Sequence, residues 1–397
     1  MGGRPRLIDA AERRARLAVR HHLAPSSRAG TAAEVATSLV ALHGTDPASV
    51  YLSVWARTRS VDSAAIGHAL YEKRELVRML GMRRTMFVVP AALAPVIQAA
   101  CTDQIAQRLR RQLVQHLDRE RISPDAAGWL EEVGEATLLA LAARGGATGS
   151  ELAQDVPGLR TQLTYAEGKS YGGSASISSR VLMMLSADGR IVRGQPRGGW
   201  TSSQFQWYPA SAWLPGQPAG ASVSPAAARC ELARRWLESF GPALVGDLQW
   251  WTGWTGGQVK AALEQLPTTE VELGGQRGIV LAGDEAPEAL SEPWPALLPA
   301  LDPTAMGWRE RDWFLGQHRA VLFDRTGNIG PTVWWDGAIV GGWAQRPDGE
   351  IVFRLLEDQG ADAAASVAAQ AQRLQEWLGP VRITPRFRTP LERELSG

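Results

Sequence analysis

The chain is short of the side chains that most often betray a mechanism. Its 397 residues include two cysteines, Cys101 and Cys230, too few for a disulfide framework or a cysteine-type zinc site, so a reduced, intracellular compartment is expected. Only Lys73, Lys169 and Lys260 are lysines; the remaining cations are arginines. No run of about 18 apolar residues exists, so no membrane span is expected. The basic stretch from Met1 to Arg20 lacks the unbroken apolar core of a secretory signal. A P-loop, a dinucleotide-type glycine fingerprint and a nucleophile elbow are all missing. The histidines, His21, His22, His43, His68, His116 and His318, show no metal-ligand spacing, so neither metal nor cofactor is expected.

What is present describes a folded chain of two or three modules, 45% hydrophobic and 21% charged. Net charge is +1, unevenly spread: residues 1–220 carry +8 and residues 221–397 carry −7. A basic N-terminal half suggests a polyanionic partner, although ordinary variation between domains gives the same split.

Apolar spacing predicts helices from Leu7 onward, then one capped at Thr31 and running to His43-Gly44. Asp46-Pro47 restarts a helix, with Asp as N-cap and Pro at the first helical position. The stretch Arg83 to Pro90 reads as a strand, completing a winged-helix outline. The outline recurs with helices at 124–143, 148–153 and 174–185, followed by a hairpin from Arg190 to Tyr208. Pro209 to Ser224 reads as a linker. A third helical set spans 225–266, with a hairpin at Gly274-Gly275, and 284–303 reads as loop. Strands are expected at 320–323, 331–335, 338–343 and 351–356, with turns at Asp336-Gly337 and Asp348-Gly349, before a closing helix at 361–378. The expectation is an α+β chain of three tandem winged-helix modules, 1–120, 121–215 and 216–285, with a C-terminal β-rich region, 286–397.

The segment His43-Gly44-Thr45-Asp46-Pro47 places polar side chains in a tight loop between apolar elements. Asp46 is explained by its capping role. For His43 and Thr45, composition alone leaves a helix-junction role and a chemical role open. The surrounding residues, Val40 to Arg57, resemble the signature of the AlkZ/YcaQ-like DNA glycosylases. The likeness extends to Met82–Pro90, Leu297–Pro303, Met306–Arg309 and Gly330–Gly337, and so covers most of the chain.

That resemblance implies a DNA channel and hydrolysis of the N-glycosidic bonds of alkylated purines, including crosslinks. The family's catalytic Gln-x-Gln or Gln-x-Asp is replaced here by His43-Gly44-Thr45. The replacement is similar to the branch that protects antibiotic producers from their own guanine-alkylating intercalators, such as trioxacarcin-type compounds. On this reading His43, Thr45 and Asp46 form the catalytic set, with His43 as base. Duplex DNA carrying alkylated guanine is contacted by Arg83 and Arg84 beside the first hairpin. Arg190, Arg193 and Arg197 on the second hairpin, with Trp200 and Gln204 on its return strand, are further contacts, and the acidic half turns from the DNA or closes its edge. The protein is expected to be a cytoplasmic, nucleoid-associated monomer. The alternative is a winged-helix DNA-binding protein or transcription regulator without catalysis.

Overall fold

Asp-Pro starts, threonine caps and β-branched runs set the element boundaries, and tertiary pairing overrides them at several points. The computed structural model describes residues 4–165, 172–214, 223–289 and 292–397. The chain is mixed α+β, with its strands in four sheets. Strands are β1 (Arg6–Leu7), β2 (Leu42–His43), β3 (Leu76–Gly81), β4 (Thr85–Pro90), β5 (Gln162–Tyr165), β6 (Gly173–Ser176), β7 (Ile191–Pro196) and β8 (Phe205–Pro209). They continue as β9 (Thr268–Leu273), β10 (Gln276–Leu281), β11 (Pro295–Leu298), β12 (Thr332–Trp335), β13 (Ala338–Gln345) and β14 (Ile351–Leu355).

Five strands in the order β2-β4-β3-β7-β8 form the sheet beneath the His43 loop. The two arginine-bearing hairpins, expected on separate modules, meet edge to edge in it, with Arg78 of β3 opposite Arg193 of β7. β1 pairs in parallel with β9, so the expected helix at Leu7 begins only at Ala10, capped by Asp9. The helix expected to reach His43 ends at Ser38. Val40 takes a left-handed φ of 63°, costly for a β-branched residue, and swings the chain into β2. Residues 174–176, expected as helix, belong to β6; the helix starts at Ser178. Expected loop at 295–298 is strand β11, paired with β12, and expected strand at 320–323 falls mostly in the short helix Arg319–Leu322. Asp336 and Gly337 both have positive φ, as the predicted β12–β13 turn requires. The middle of the expected linker, 215–222, lies outside the described residues.

One continuous apolar cluster unites residues from 17 to 101 with residues from 192 to 395. A second core belongs to the helices and strands between Leu113 and Trp207. Trp236, Trp294, Trp334 and Trp343 are fully buried, as expected for most of the tryptophans.

A polar seam crosses the larger core. The helix Pro47–Trp55 carries Ser49 and Ser53 one turn apart, with Arg57 another turn on. Ser49 Oγ donates to the Ala300 carbonyl at 2.7 Å and Ser53 Oγ to Asp302 at 2.7 Å. Arg57 and Asp302 are both 0% exposed and bond through two parallel contacts of 2.8 and 2.6 Å. Arg57 also donates to Thr304 Oγ1 at 2.7 Å. His21 completes the chain: its Nε2–H donates to the Ser239 carbonyl, so Thr304 Oγ1 donates to its Nδ1 at 2.8 Å.

Asp302→Leu leaves Arg57 charged, enclosed and unpaired, and is expected to cost about 3–5 kcal/mol of stability. Adding Arg57→Met should recover part of that loss. Urea unfolding checks this: a double variant less stable than Asp302→Leu would refute the account.

Candidate functional site

The His43 loop is shaped from both sides. His43 pairs opposite Phe87 in β4, and the Gly44 N–H donates to the Met86 carbonyl at 2.8 Å. Arg78 Nη1 reaches up from β3 to the Gly44 carbonyl at 2.5 Å. A Cβ at Gly44 would sit 2.9 Å from that nitrogen and 3.2 Å from the Phe87 backbone, so only glycine lets the loop lie this flat. Asp46 then caps the next helix through a 3.1 Å bond from the Ala48 N–H. Its second oxygen accepts from the Arg386 N–H at 3.0 Å, tying the loop to a segment more than three hundred residues away.

The His43 ring forms part of the wall of a cleft of about 440 Å³. Arg83, Thr85, Trp250, Arg309, Arg311 and Arg319 share that wall. A larger basin of about 1300 Å³ adjoins it, sharing Arg319, Thr326 and Gly327, and adds Arg325, Arg386, Arg388 and Arg393. One carboxylate lines the two, Asp324, and it is spent on the Thr326 and Asn328 side chains and backbone N–H groups. Arg83 and Arg84 both sit at positive φ, 53° and 59°, in the β3–β4 turn, and this strained turn brings the Arg83 guanidinium to 3.8 Å from the Trp250 ring centre. Asp247 builds the opposite wall: it accepts from the Leu244 N–H at the start of the helix Val245–Thr252, which carries Trp250, and from the N–H groups of Arg309 and Glu310.

Burial sets the charge state of this wall. Desolvation, and next the Arg83 cation, push the His43 pKa down to about 3, while Asp302 pulls weakly the other way. The ring is therefore neutral at physiological pH. The helix-end position that would have raised its pKa is absent, because His43 sits in a strand. Its Nδ1 is enclosed without a hydrogen-bond partner among the described residues. Desolvation lowers Arg83 and Arg311 to about 10, leaving both charged, and raises the Asp46 carboxyl.

The sequence-predicted residues are only partly brought together. His43 and Arg83 face the same cleft, and Arg84 is exposed beside them. Thr45 is half-buried on the loop and outside the cleft lining, whereas Asp46 borders a separate small cavity with Ser49, Trp343 and Gln345. The second hairpin adjoins β3 beneath the loop but contributes nothing to the cleft lining. Arg190 is paired with Glu135 and Arg197 with Glu151. The Arg193 guanidinium lies 5.0 Å from the Trp207 ring centre, its pKa lowered to about 10 by desolvation. Trp200 stacks on Tyr51 at 4.7 Å and lies against Trp377, and Gln204 is exposed. The acidic half, expected to turn from the DNA or close its edge, supplies through its arginines from 309 to 393 most of the cleft wall. The local runs Arg309-Glu310-Arg311 and Arg386-Phe387-Arg388 were the available signal, hidden by the net charge of the half.

Lys73 and Lys260 are exposed beside Glu75 and Glu264, away from the cleft, and Lys169 lies outside the described residues. Among the described residues no group of three or more His, Cys, Asp or Glu side chains could hold a metal ion. No helix among them is long and apolar enough to cross a membrane.

The model of the AlkZ-like DNA glycosylases matches residues 36–377. No curated protein sequence matches. Among solved structures, Streptomyces sahachiroi DNA glycosylase AlkZ aligns over 93% of this chain and 97% of its own, with a TM-score of 0.71 and 19% identity, which establishes a shared fold.

A pH dependence of folding follows from the two enclosed histidines. The folded-state pKa values of His21 and His43 lie below the ordinary value of about 6.5, so below that pH the unfolded chain binds more protons. Their stabilisation is complete above about pH 6.5 and is lost as the pH falls, by about 1.4 kcal/mol per pH unit for each histidine. Urea unfolding between about pH 7.5 and 5 should show a shallower loss for His43→Gln than for the wild type. Equal slopes would mean that the ring is protonated in the folded protein.

Proposed function

The chain belongs to the AlkZ-like DNA glycosylase family, and from that membership we propose that it hydrolyses the N-glycosidic bond of bulky N7-alkylguanine in duplex DNA. Membership makes it a DNA glycosylase, with DNA as its partner and repair as its setting. The observation that carries the finer reading is the neutral His43 ring on the wall of an arginine-lined cleft. N7 alkylation makes the purine cationic, so the leaving group is already activated. The N9–C1′ bond breaks with its electron pair discharging the purinium, and water adds to the oxocarbenium-like sugar. What this requires is a water held at C1′ and a surface that carries the phosphates.

His43 supplies the hydrogen-bond partner for that water. With a pKa near 3 it is a weak proton acceptor, and its contribution is orientation while the proton leaves to solvent after C1′–O bond formation. Thr45, two residues on but outside the cleft lining, is left a phosphate contact rather than that water. Asp46 keeps the loop in place through its bonds to Ala48 and Arg386. The adjoining basin of about 1300 Å³ gives room for a large adduct, which supports a role in self-resistance to DNA-alkylating natural products and in unhooking crosslinks. Arg84, Arg190 and Arg197 are outer contacts, the last two trading carboxylate partners for phosphate.

Duplex carrying an N7-alkylguanine adduct should accumulate alkali-labile abasic sites with the wild-type protein. His43→Ala should slow single-turnover excision by up to about 10², the loss expected when the attacking water is misplaced, while leaving affinity for undamaged duplex nearly unchanged. Wild-type excision by His43→Ala would remove the residue from the mechanism. The wild-type rate should also stay level down to about pH 5, because the ring remains neutral there. A limb near pH 6.5 would contradict this. No covalent protein–DNA species should be trapped by borohydride, since no described lysine lines the cleft.

A further inference from the structure

Three of the cleft arginines are threaded between two aromatic rings. Trp250 has the Arg83 guanidinium 3.8 Å from its ring centre and that of Arg311 at 4.7 Å. Phe323 has Arg311 at 5.4 Å and Arg319 at 4.8 Å. The order Arg83–Trp250–Arg311–Phe323–Arg319 leads from the ring of His43 to the larger basin.

These cations lack the carboxylate partners that many arginines of the molecule have, a lack shared among the described residues by Arg13, Arg78 and Arg193, which lie outside the cleft lining. Arg110, Arg190, Arg197 and Arg234 have carboxylate partners within 3.0 Å. Among the described residues, Arg83, Arg311 and Arg319 have none. Arg311 is only 4% exposed, and its Nε is spent on the Trp308 carbonyl at 2.7 Å. Enclosing an unpaired cation is costly, so the wall around buried Arg311 and half-buried Arg83 is stabilised when a ligand brings negative charge. The rings fix the guanidinium planes in advance. Each cation–aromatic contact is attractive, and a fixed guanidinium matches the two oxygens of a phosphodiester with little further loss of side-chain freedom.

We propose that this cation–aromatic ladder is a phosphate track that holds the backbone of the strand whose nucleotide faces His43, and that it requires arginine rather than any cation. The track rests on the glycosylase reading for the identity of that strand. An ammonium on a flexible stem would supply charge but neither the planar stacking nor the two-pronged contact. A phosphate on Arg83 also cancels part of the field that keeps the His43 ring from accepting a proton, so the ring becomes a better partner for water once DNA is seated.

The test is a salt titration of binding to an undamaged, fluorescein-labelled duplex, with no excision step. Arg319 is exposed, so its variants should fold, and thermal melting verifies that they do. Arg319→Ala should make the slope of log K against log[salt] less negative by about one unit. Arg319→Lys should keep the wild-type slope yet bind about five- to tenfold more weakly, and Phe323→Leu should do the same. Arg277→Ala, on the β9–β10 hairpin and 86% exposed, should match the wild type. An unchanged slope in Arg319→Ala, or wild-type affinity in Arg319→Lys, would overturn the track. Neither result touches excision: the track can fail while the adduct is still released, and a failure of excision alone leaves the salt slopes in place.

Discussion

Everything in the cleft depends on a charge pair that no solvent reaches. Arg57 and Asp302 lie at the centre of the larger core, and neither has any exposed surface. Such a pair contributes little net stability compared with apolar residues of the same size. Its value is positional. Asp302 has one permitted location once Arg57, Ser53 and the Thr304 N–H have each bonded to it. That location fixes the helix Pro47–Trp55 against residues 300–304, and therefore the loop that precedes the helix and bears His43. The seam explains why two distant Asp-Pro helix starts, at Asp46 and Asp302, are each followed by small polar side chains: they are the two halves of one joint.

Sequence reasoning found the loop but not its surroundings, and the physics of each element says why. Caps, glycine turns and Asp-Pro starts are local, and Asp46, Thr31, Thr148 and the Asp336-Gly337 turn all behave as their local chemistry dictates. The strand at Leu42–His43 was illegible, because Leu39 to His43 has acceptable helical spacing and the break comes from a left-handed Val40 that only tertiary pairing with β4 compensates. Partnership was equally hidden. Nothing in the order of residues says that Arg190 and Arg197 meet Glu135 and Glu151, or that Arg311 pairs with no carboxylate among the described residues.

Charge shows the same division between sum and placement. The C-terminal half is acidic in total, yet acids such as Asp324 and Glu392 are held in local hydrogen bonds and ion pairs, while Arg309, Arg311, Arg319, Arg325, Arg386, Arg388 and Arg393 gather around the cleft and basin. A net charge describes long-range attraction. A site is made by the few charges left without partners, and here these are guanidiniums held flat by Trp250 and Phe323.

The bond from the Arg386 N–H to Asp46 has a consequence for how the protein comes into being. Translation delivers the His43 loop early, but the partner that steadies its capping carboxylate, the arginines of the basin and Asp302 all emerge far later. A nascent chain therefore carries His43 without most of the arginines that line its cleft. The cleft takes shape only after the segment around Arg386 has been made, so a polypeptide stopping short of it holds the His43 loop without the surrounding wall.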